Sequence, residues 1–496
     1  MKIIINGFFY NPSLNQSLIK IIEEFKFSKC HTFACADSRP ENFPSHTNVV
    51  VYDYHEIAKG EYSNVEWSKI TPLDEDIISK MRDCESIVLK MMDRLRLDNY
   101  EERKYLYLKH LRYWHHVLKE DSIGLFLASG IPHEVYDFII YKLCKLKNIP
   151  TLLITYSTIN GVSFISTDLD TEPALEIAKA YQEIMSQEPT EVVLSERFRE
   201  HYDFQTCKEK DPIPWYTEDI PQFVPQDSSK LMSEYLLDKI KNPFRTLRQF
   251  IDLRNLAKKF TNKITYFQEV KERKALFDIY DGNASDPNLQ QQYIYIALHY
   301  QPECTTSPMA GVFVDQILMV EMIASLLPKN IYLYVKENPW QTWECRSQRF
   351  YTDLLNIPQV KLVPRTFSSF RLIEKCLAVA TATGTVAWEG LFREKPALMF
   401  GQHFYQYAPK VFSVRNIEDC KFALHQIIDC NVKPNLEEMK IFLKAMENTA
   451  VIAYSDIAFA DKASITDEEN TNNLFYALRN KIITLGISPV AQPLLE

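Results

Sequence analysis

Between Tyr293 and Phe400 short apolar runs alternate with amphipathic stretches. Tyr293–Leu298, Ile331–Val335, Val360–Leu362, Ala378–Ala382 and Ala397–Phe400 read as buried strands: a few residues each, dominated by apolar side chains. Asp315–Leu326, Arg346–Leu355, Phe370–Cys376 and Val386–Phe392 carry the helical period between them. A strand that runs parallel to its predecessor needs a crossover, and a helix supplies it. The segment therefore reads as a doubly wound α/β unit.

The amino-terminal part repeats the pattern less cleanly. Lys2–Asn6, Asn48–Tyr52, Ile123–Ser129 and Pro150–Ile154 read as strands, and Leu14–Phe25 and Val135–Leu146 as helices. Asp74–Leu118 is mostly helical, with charged and aromatic residues mixed. A chain of 496 residues exceeds what one core holds, so the expected fold is α/β with two Rossmann-like domains plus connecting and carboxy-terminal helices. From Glu196 to Lys230 the pattern dissolves among Pro212, Pro214, Pro221 and Pro225, which places a boundary there. The expected division is 1–228, a helical connector at 229–277, a second Rossmann-like domain at 278–430 and a helical tail at 431–496. Leu231–Phe277 carries Lys and Arg on its polar positions. It is either a solvated connector face or a helix that touches anionic lipid.

Composition removes several function classes. The net charge of -9 argues against general nucleic-acid binding. Ten cysteines without a CxxC pair fit reduced thiols, and Met1–Gly7 is too short an apolar run for a secretion signal, so a cytoplasmic protein is expected. No apolar stretch approaches the ~20 residues of a membrane span. GxGxxG and GxxxxGK[ST] are both missing, which argues against a dinucleotide cofactor and a P-loop. No His/Cys/Asp cluster has metal-ligand spacing, so neither cofactor nor metal is expected.

Ligands of open parallel sheets bind beyond the carboxyl ends of the strands. In the second unit three loops fall on that edge. The first holds His299, Thr305, Thr306 and Ser307, the second Lys336 and Asn338, the third Thr383, Gly384 and Thr385. Thr-Gly-Thr running from a strand into a helix offers backbone N–H groups, two hydroxyls and the positive end of a helix dipole to a phosphate. An ordinary hydroxyl cap is the plainer alternative. Glu389, one turn later, could reach ribose hydroxyls. Lys336 could pair with a phosphate, and His299 could donate to one or act as a base. The Thr305–Ser307 cluster could supply hydroxyl donors or simply form a polar turn. Only 11 glycines occur in the chain, and Gly384, Gly390 and Gly401 fall together. In the first unit His133, Glu134 and Asp137 open a helix after a strand. They read as acid/base groups facing a cleft, or as acidic residues that favour a first helical turn.

These blocks have a familiar order. His299-Tyr300-Gln301-Pro302-Glu303-x-Thr305-Thr306-Ser307-Pro308, Val314-Asp315-Gln316, Tyr334-Val335-Lys336-Glu337-x-Pro339 and Thr383-Gly384-Thr385-x-x-Trp388-Glu389 resemble the capsular polysaccharide biosynthesis proteins. Pro132-His133-Glu134 with Tyr136-Asp137 fits the same group. The resemblance implies a GT-B-type glycosyltransferase, with the donor nucleotide on the second domain and the acceptor on the first. Relatives in the wider group include transferases of Kdo carried on CMP, in which a His-Pro pair contacts the nucleotide phosphate. Here Asn338-Pro339 stands in the corresponding place; asparagine donates a hydrogen bond but carries no charge, so a CMP-Kdo-like donor and a UDP-sugar both stay open. The implied partners are a nucleotide-sugar donor and a glycan or glycolipid acceptor. Peripheral contact with the inner membrane or with capsule-assembly proteins goes with that reading, and no nucleic acid does. A nucleotide-sugar 2-epimerase of the same fold and a non-catalytic glycan-binding assembly protein are the alternatives.

Overall fold

The computed structural model describes residues 1–35, 43–63, 65–95, 97, 99–188, 191–207, 274–341 and 345–490. Two α/β sheets form, as the alternation requires. The first has seven strands: β1 (Lys2–Asn6), β2 (Lys29–Ala34), β3 (Asn48–Asp53), β4 (Ile123–Ala128), β5 (Thr151–Tyr156), β6 (Val162–Ser166) and β13 (Val451–Ile452), in the order β13-β6-β5-β4-β1-β2-β3. The second holds β7 (Tyr293–Ala297), β8 (Tyr332–Lys336), β9 (Val360–Val363), β10 (Ala378–Thr381), β11 (Ala397–Met399) and β12 (Val411–Ser413), in the order β12-β11-β10-β7-β8-β9. Every pairing in the second sheet is parallel. In the first sheet β6 runs antiparallel to both β5 and β13. Both sheets are Rossmann-like, the arrangement expected of the GT-B type.

Each sheet is covered on both faces, because its strands are apolar on both sides. One face of the first sheet packs with the helices of 75–146, through Val88, Trp114 and Ile139. The other packs with helices Pro12–Phe25 and Asp467–Thr484, through Leu18, Ile21, Leu474 and Leu478. The first of these helices starts where Asn11 Oδ1 accepts the N–H groups of Ser13 and Leu14, at 3.0 and 3.4 Å.

Two expectations need correction. The pattern does not dissolve at Glu196: Glu196–Thr206 is a helix that buries Phe198. Its own apolar face is thin, and it forms against Trp388, Phe392 and the tail helix Leu436–Thr449. The tail is also more than a helical appendage. After crossing the second domain it returns to the first, adds β13 to that sheet and lays Asp467–Thr484 across Pro12–Phe25. The prolines at 212–225 and nearly all of the connector at 229–277 lie outside the described residues.

Candidate functional site

In the second sheet β7 lies between β10 and β8, so the crossovers leave it in opposite directions and the crevice opens at the ends of β7 and β10. A cavity of about 700 Å³ occupies this place. From the second sheet it is lined by His299, Glu303, Ser369, Phe370, Thr385 and Glu389, among others. Across from them stand the β5–β6 turn at Ser157–Gly161 and the tail residues Tyr454 and Phe459.

His299 holds the site together. Its Nε2 accepts the backbone N–H of Ala382 at 3.0 Å and of Thr383 at 3.3 Å, and lies 2.7 Å from Thr381 Oγ1. An acceptor nitrogen carries no proton, which assigns the proton to Nδ1. Burial agrees, holding the imidazole neutral with its pKa lowered to about 4. The expected role as a base is therefore closed at Nε2, while donation from Nδ1 stays available. The backbone carbonyl of His299 is gripped in turn by Arg346 at 2.9 Å and by Gln316 at 3.2 Å. Arg346 is paired with Glu337 at 2.7 Å, and Tyr351 donates to the same carboxylate at 2.8 Å. Glu337 and Gln316 are thus the frame of the His299 loop, a role that no local sequence pattern shows.

The Thr-Gly-Thr turn is largely spent on its own architecture. The N–H groups of Ala382 and Thr383 go to His299, and that of Gly384 goes to Thr381 Oγ1 at 3.0 Å. Thr383 Oγ1 donates to Thr305 O at 2.6 Å, which ties the third loop to the first. Among the described residues no group claims the N–H of Thr385 or Val386, the first two of helix Thr385–Leu391. Gly401 lies under this turn: a Cβ there would stand 2.5 Å from Thr383 Cγ2 and 2.9 Å from two backbone carbonyls. Clearance for the turn is what fixes that glycine.

The other expected residues separate. Thr305, Asn338, Thr383, Gly384, Thr385 and Glu389 line the cavity with His299; Thr306, Ser307 and Lys336 are not among its lining residues. Thr306 closes its own loop by donating to Glu303 O at 2.9 Å. Ser307 O accepts from Arg94 of the first domain at 2.9 Å, and the same guanidinium also holds His133 O. Lys336 lies one layer back and donates to Ser369 Oγ at 2.8 Å. Burial lowers its pKa to about 8, against the pull of Glu389. The lysine thus reaches the cavity through a serine rather than directly.

His133, Glu134 and Asp137 are not among the residues that line this cavity either. Asp137 is buried and accepts from Glu134 N at 2.7 Å, Asn6 Nδ2 at 3.0 Å and His133 N at 3.2 Å. It anchors the start of helix Tyr136–Leu146, which is the plainer role an acidic residue takes at a first turn. His133 and Glu134 remain partly exposed beside it, 3.6 Å apart. Sequence reasoning missed Glu303, Ser369, Phe370 and His403 as cavity residues. Asn160-Gly161, a hairpin signal, could have found the opposite wall.

With this geometry in hand the chain can be set beside known proteins. Residues 307–409 match the family described as capsule polysaccharide biosynthesis protein. The match covers about a fifth of the chain. It takes in Lys336, Asn338, Ser369, the turn at 383–385, Glu389 and His403, and leaves His299, Thr305 and Thr306 just outside. Among curated proteins no sequence matches the chain. Among solved structures it is similar to KpsC, a beta Kdo 2,7 transferase of Thermosulfurimonas dismutans, at 11% identity over 80% of this chain and 96% of that one, with a TM-score of 0.33. A UDP-GlcNAc 2-epimerase of Methanocaldococcus jannaschii gives 10% identity over 90% and 100%, TM-score 0.26. A glycosyltransferase of Rickettsia africae gives 10% identity over 98% of both chains, TM-score 0.26. At these scores the structural likenesses add nothing to the reading of the site.

Proposed function

We propose that this chain is a glycosyltransferase that takes a nucleotide-activated sugar into the cavity between its sheets and passes the sugar to a surface-polysaccharide acceptor. One observation carries the reading: the cavity sits at the crossover of the second sheet, and most of that wall falls within the segment that matches the capsule-synthesis family. The donor lies along the second sheet, with ribose hydroxyls toward Glu389. Phosphate oxygens meet neutral donors: the Thr385 hydroxyl, the N–H groups of Thr385 and Val386, and His299 Nδ1–H. Such donors, fixed in place before the ligand arrives, stabilise charge on the departing phosphate without reorganising.

The sugar then points toward the β5–β6 turn and Glu303, a cavity carboxylate whose Oε2 accepts from Thr305 at 2.6 Å. Glu303 is better placed than Glu134 or Asp137 to take the acceptor's proton, because it borders the cavity. Glycan or glycolipid acceptor enters from the first domain, past His133 and Glu134. The scheme invokes no metal or cofactor and places the enzyme in the cytoplasm, where nucleotide sugars are made, with peripheral contact at the inner membrane.

The test is a thermal-shift screen of the full chain against CMP, UDP, GDP, dTDP and their sugars. A nucleotide present at about a hundred times its dissociation constant stabilises by about 2.7 kcal/mol. Glu389→Gln should weaken that shift for the same nucleotide. Where no nucleotide shifts the wild type, the reading fails. Where one does, product analysis with an isolated glycan decides between sugar transfer and 2-epimerisation of the donor alone.

A further inference from the structure

Ser369 is held in an unusual hydrogen-bonding state. Its Oγ accepts from the Lys336 ammonium at 2.8 Å and from Tyr295 Oη at 3.1 Å. A hydroxyl oxygen has two lone pairs, so both are taken, and an ammonium can only donate. The Ser369 hydrogen is left to be given away, and no hydrogen bond among the described residues takes it. Ser369 lines the cavity, so the hydrogen is available to whatever binds there. A charged donor behind it makes the hydroxyl a stronger donor still.

The next residue, Phe370, also lines the cavity. The guanidinium of Arg393 lies over its ring, 5.1 Å from the centroid, and is itself fixed by donating to Gln205 O at 3.1 Å. The ring is thereby backed by a cation and adds an aromatic, apolar group to the cavity lining. An aromatic group beside a hydroxyl that only donates fits a heteroaromatic ring bearing an oxygen acceptor. It fits a phosphate less well, since a phosphate has no face to stack.

We infer that Ser369 and Phe370 read the nucleobase of the donor, Phe370 stacking on the ring and Ser369 donating to an exocyclic carbonyl oxygen. The inference rests on the proposed nucleotide site and adds its base specificity. Uracil, cytosine and guanine carry such an oxygen; adenine carries an amino group there, which would set donor against donor.

Calorimetric titration of the full chain with UMP, CMP, GMP and AMP tests this, using wild type, Ser369→Ala, Ser369→Thr and Phe370→Leu. In the wild type the best carbonyl-bearing nucleotide should bind at least about tenfold tighter than AMP. Ser369→Ala should lose most of that preference by weakening the carbonyl-bearing nucleotide and leaving AMP nearly unchanged. Ser369→Thr keeps the hydroxyl and should retain the preference, which separates base reading from a packing defect. Phe370→Leu should weaken all nucleotides, by about tenfold or more. The inference is overturned if Ser369→Ala keeps the preference, if it weakens every nucleotide equally, or if the wild type binds AMP as tightly as the rest. If the wild type binds none of them, the nucleotide site itself is refuted, and that outcome is distinct.

Discussion

Arg346 and Glu337 form a buried ion pair, with side chains 2% and 0% exposed. Their network also reaches Tyr351 and the His299 carbonyl. Taking one charge out of such a pair strands the other in a poor solvent, which costs about 3–5 kcal/mol. Arg346→Met is therefore expected to lower unfolding stability by about that amount in urea. It should also weaken nucleotide binding, because the His299 loop loses its grip. A stability change below about 1 kcal/mol would show that the pair is not the frame described above. The residues of the Thr-Gly-Thr turn could be named from sequence because Gly and Thr at a strand-to-helix junction are locally distinctive. His299 could be named but not assigned a state, since its tautomer depends on N–H groups more than 80 residues away. The same holds for Lys336, whose contact with Ser369 gives it an indirect route to the cavity that no local pattern shows.

Among the elements, those with a strong apolar period were legible and those with a mixed face were not. β2 reads Lys-Cys-His-Thr-Phe-Ala, too polar to announce a buried strand. It is buried because Asp121 gathers Lys2, Lys29 and His31 at 2.9, 2.6 and 2.6 Å, a cluster assembled from distant parts of the chain. β13 has two residues and exists only because β6 offers an edge to pair with. The returning helix Asp467–Thr484 begins with a capping box at Thr466 and Glu469 and drives Leu474, Leu478 and Ile482 into the core of the first domain. Leu478→Ala should then destabilise the whole chain by about 2–5 kcal/mol, seen as an earlier denaturation midpoint. If instead the midpoint stays put and only the tail becomes sensitive to protease, the helix is an appendage rather than part of that core.

At the scale of the molecule, several histidines are kept neutral by the fold. His110 and His299 are buried, and His201 Nε2 accepts from Trp388 Nε1 at 3.1 Å across the two domains. Burial lowers the pKa of His110 and His201 to about 3 and of His299 to about 4. A group whose folded pKa lies below its unfolded value of ~6.5 takes up a proton first in the unfolded state. Its contribution is therefore intact above pH ~6.5 and is lost as pH falls from there toward the folded pKa, at up to ~1.4 kcal/mol per pH unit for each group. The melting temperature should fall clearly between pH 7 and pH 5; a flat profile over that range would mean these rings are not held neutral.

By itself the sequence determined the two α/β units, the edge of the second sheet that carries the cavity, and its Thr-Gly-Thr turn and Glu389. These follow from local chemistry: apolar period, glycine at a junction, polar residues after strands. Only the tertiary structure decided that the tail closes the first domain, that a β5–β6 turn forms the far wall, that Asp137 is an anchor and that Ser369 has a hydrogen to give. Each of these is settled by partners distant in the chain, and their pairing depends on burial and hydrogen-bond saturation, which exist only once the chain has folded.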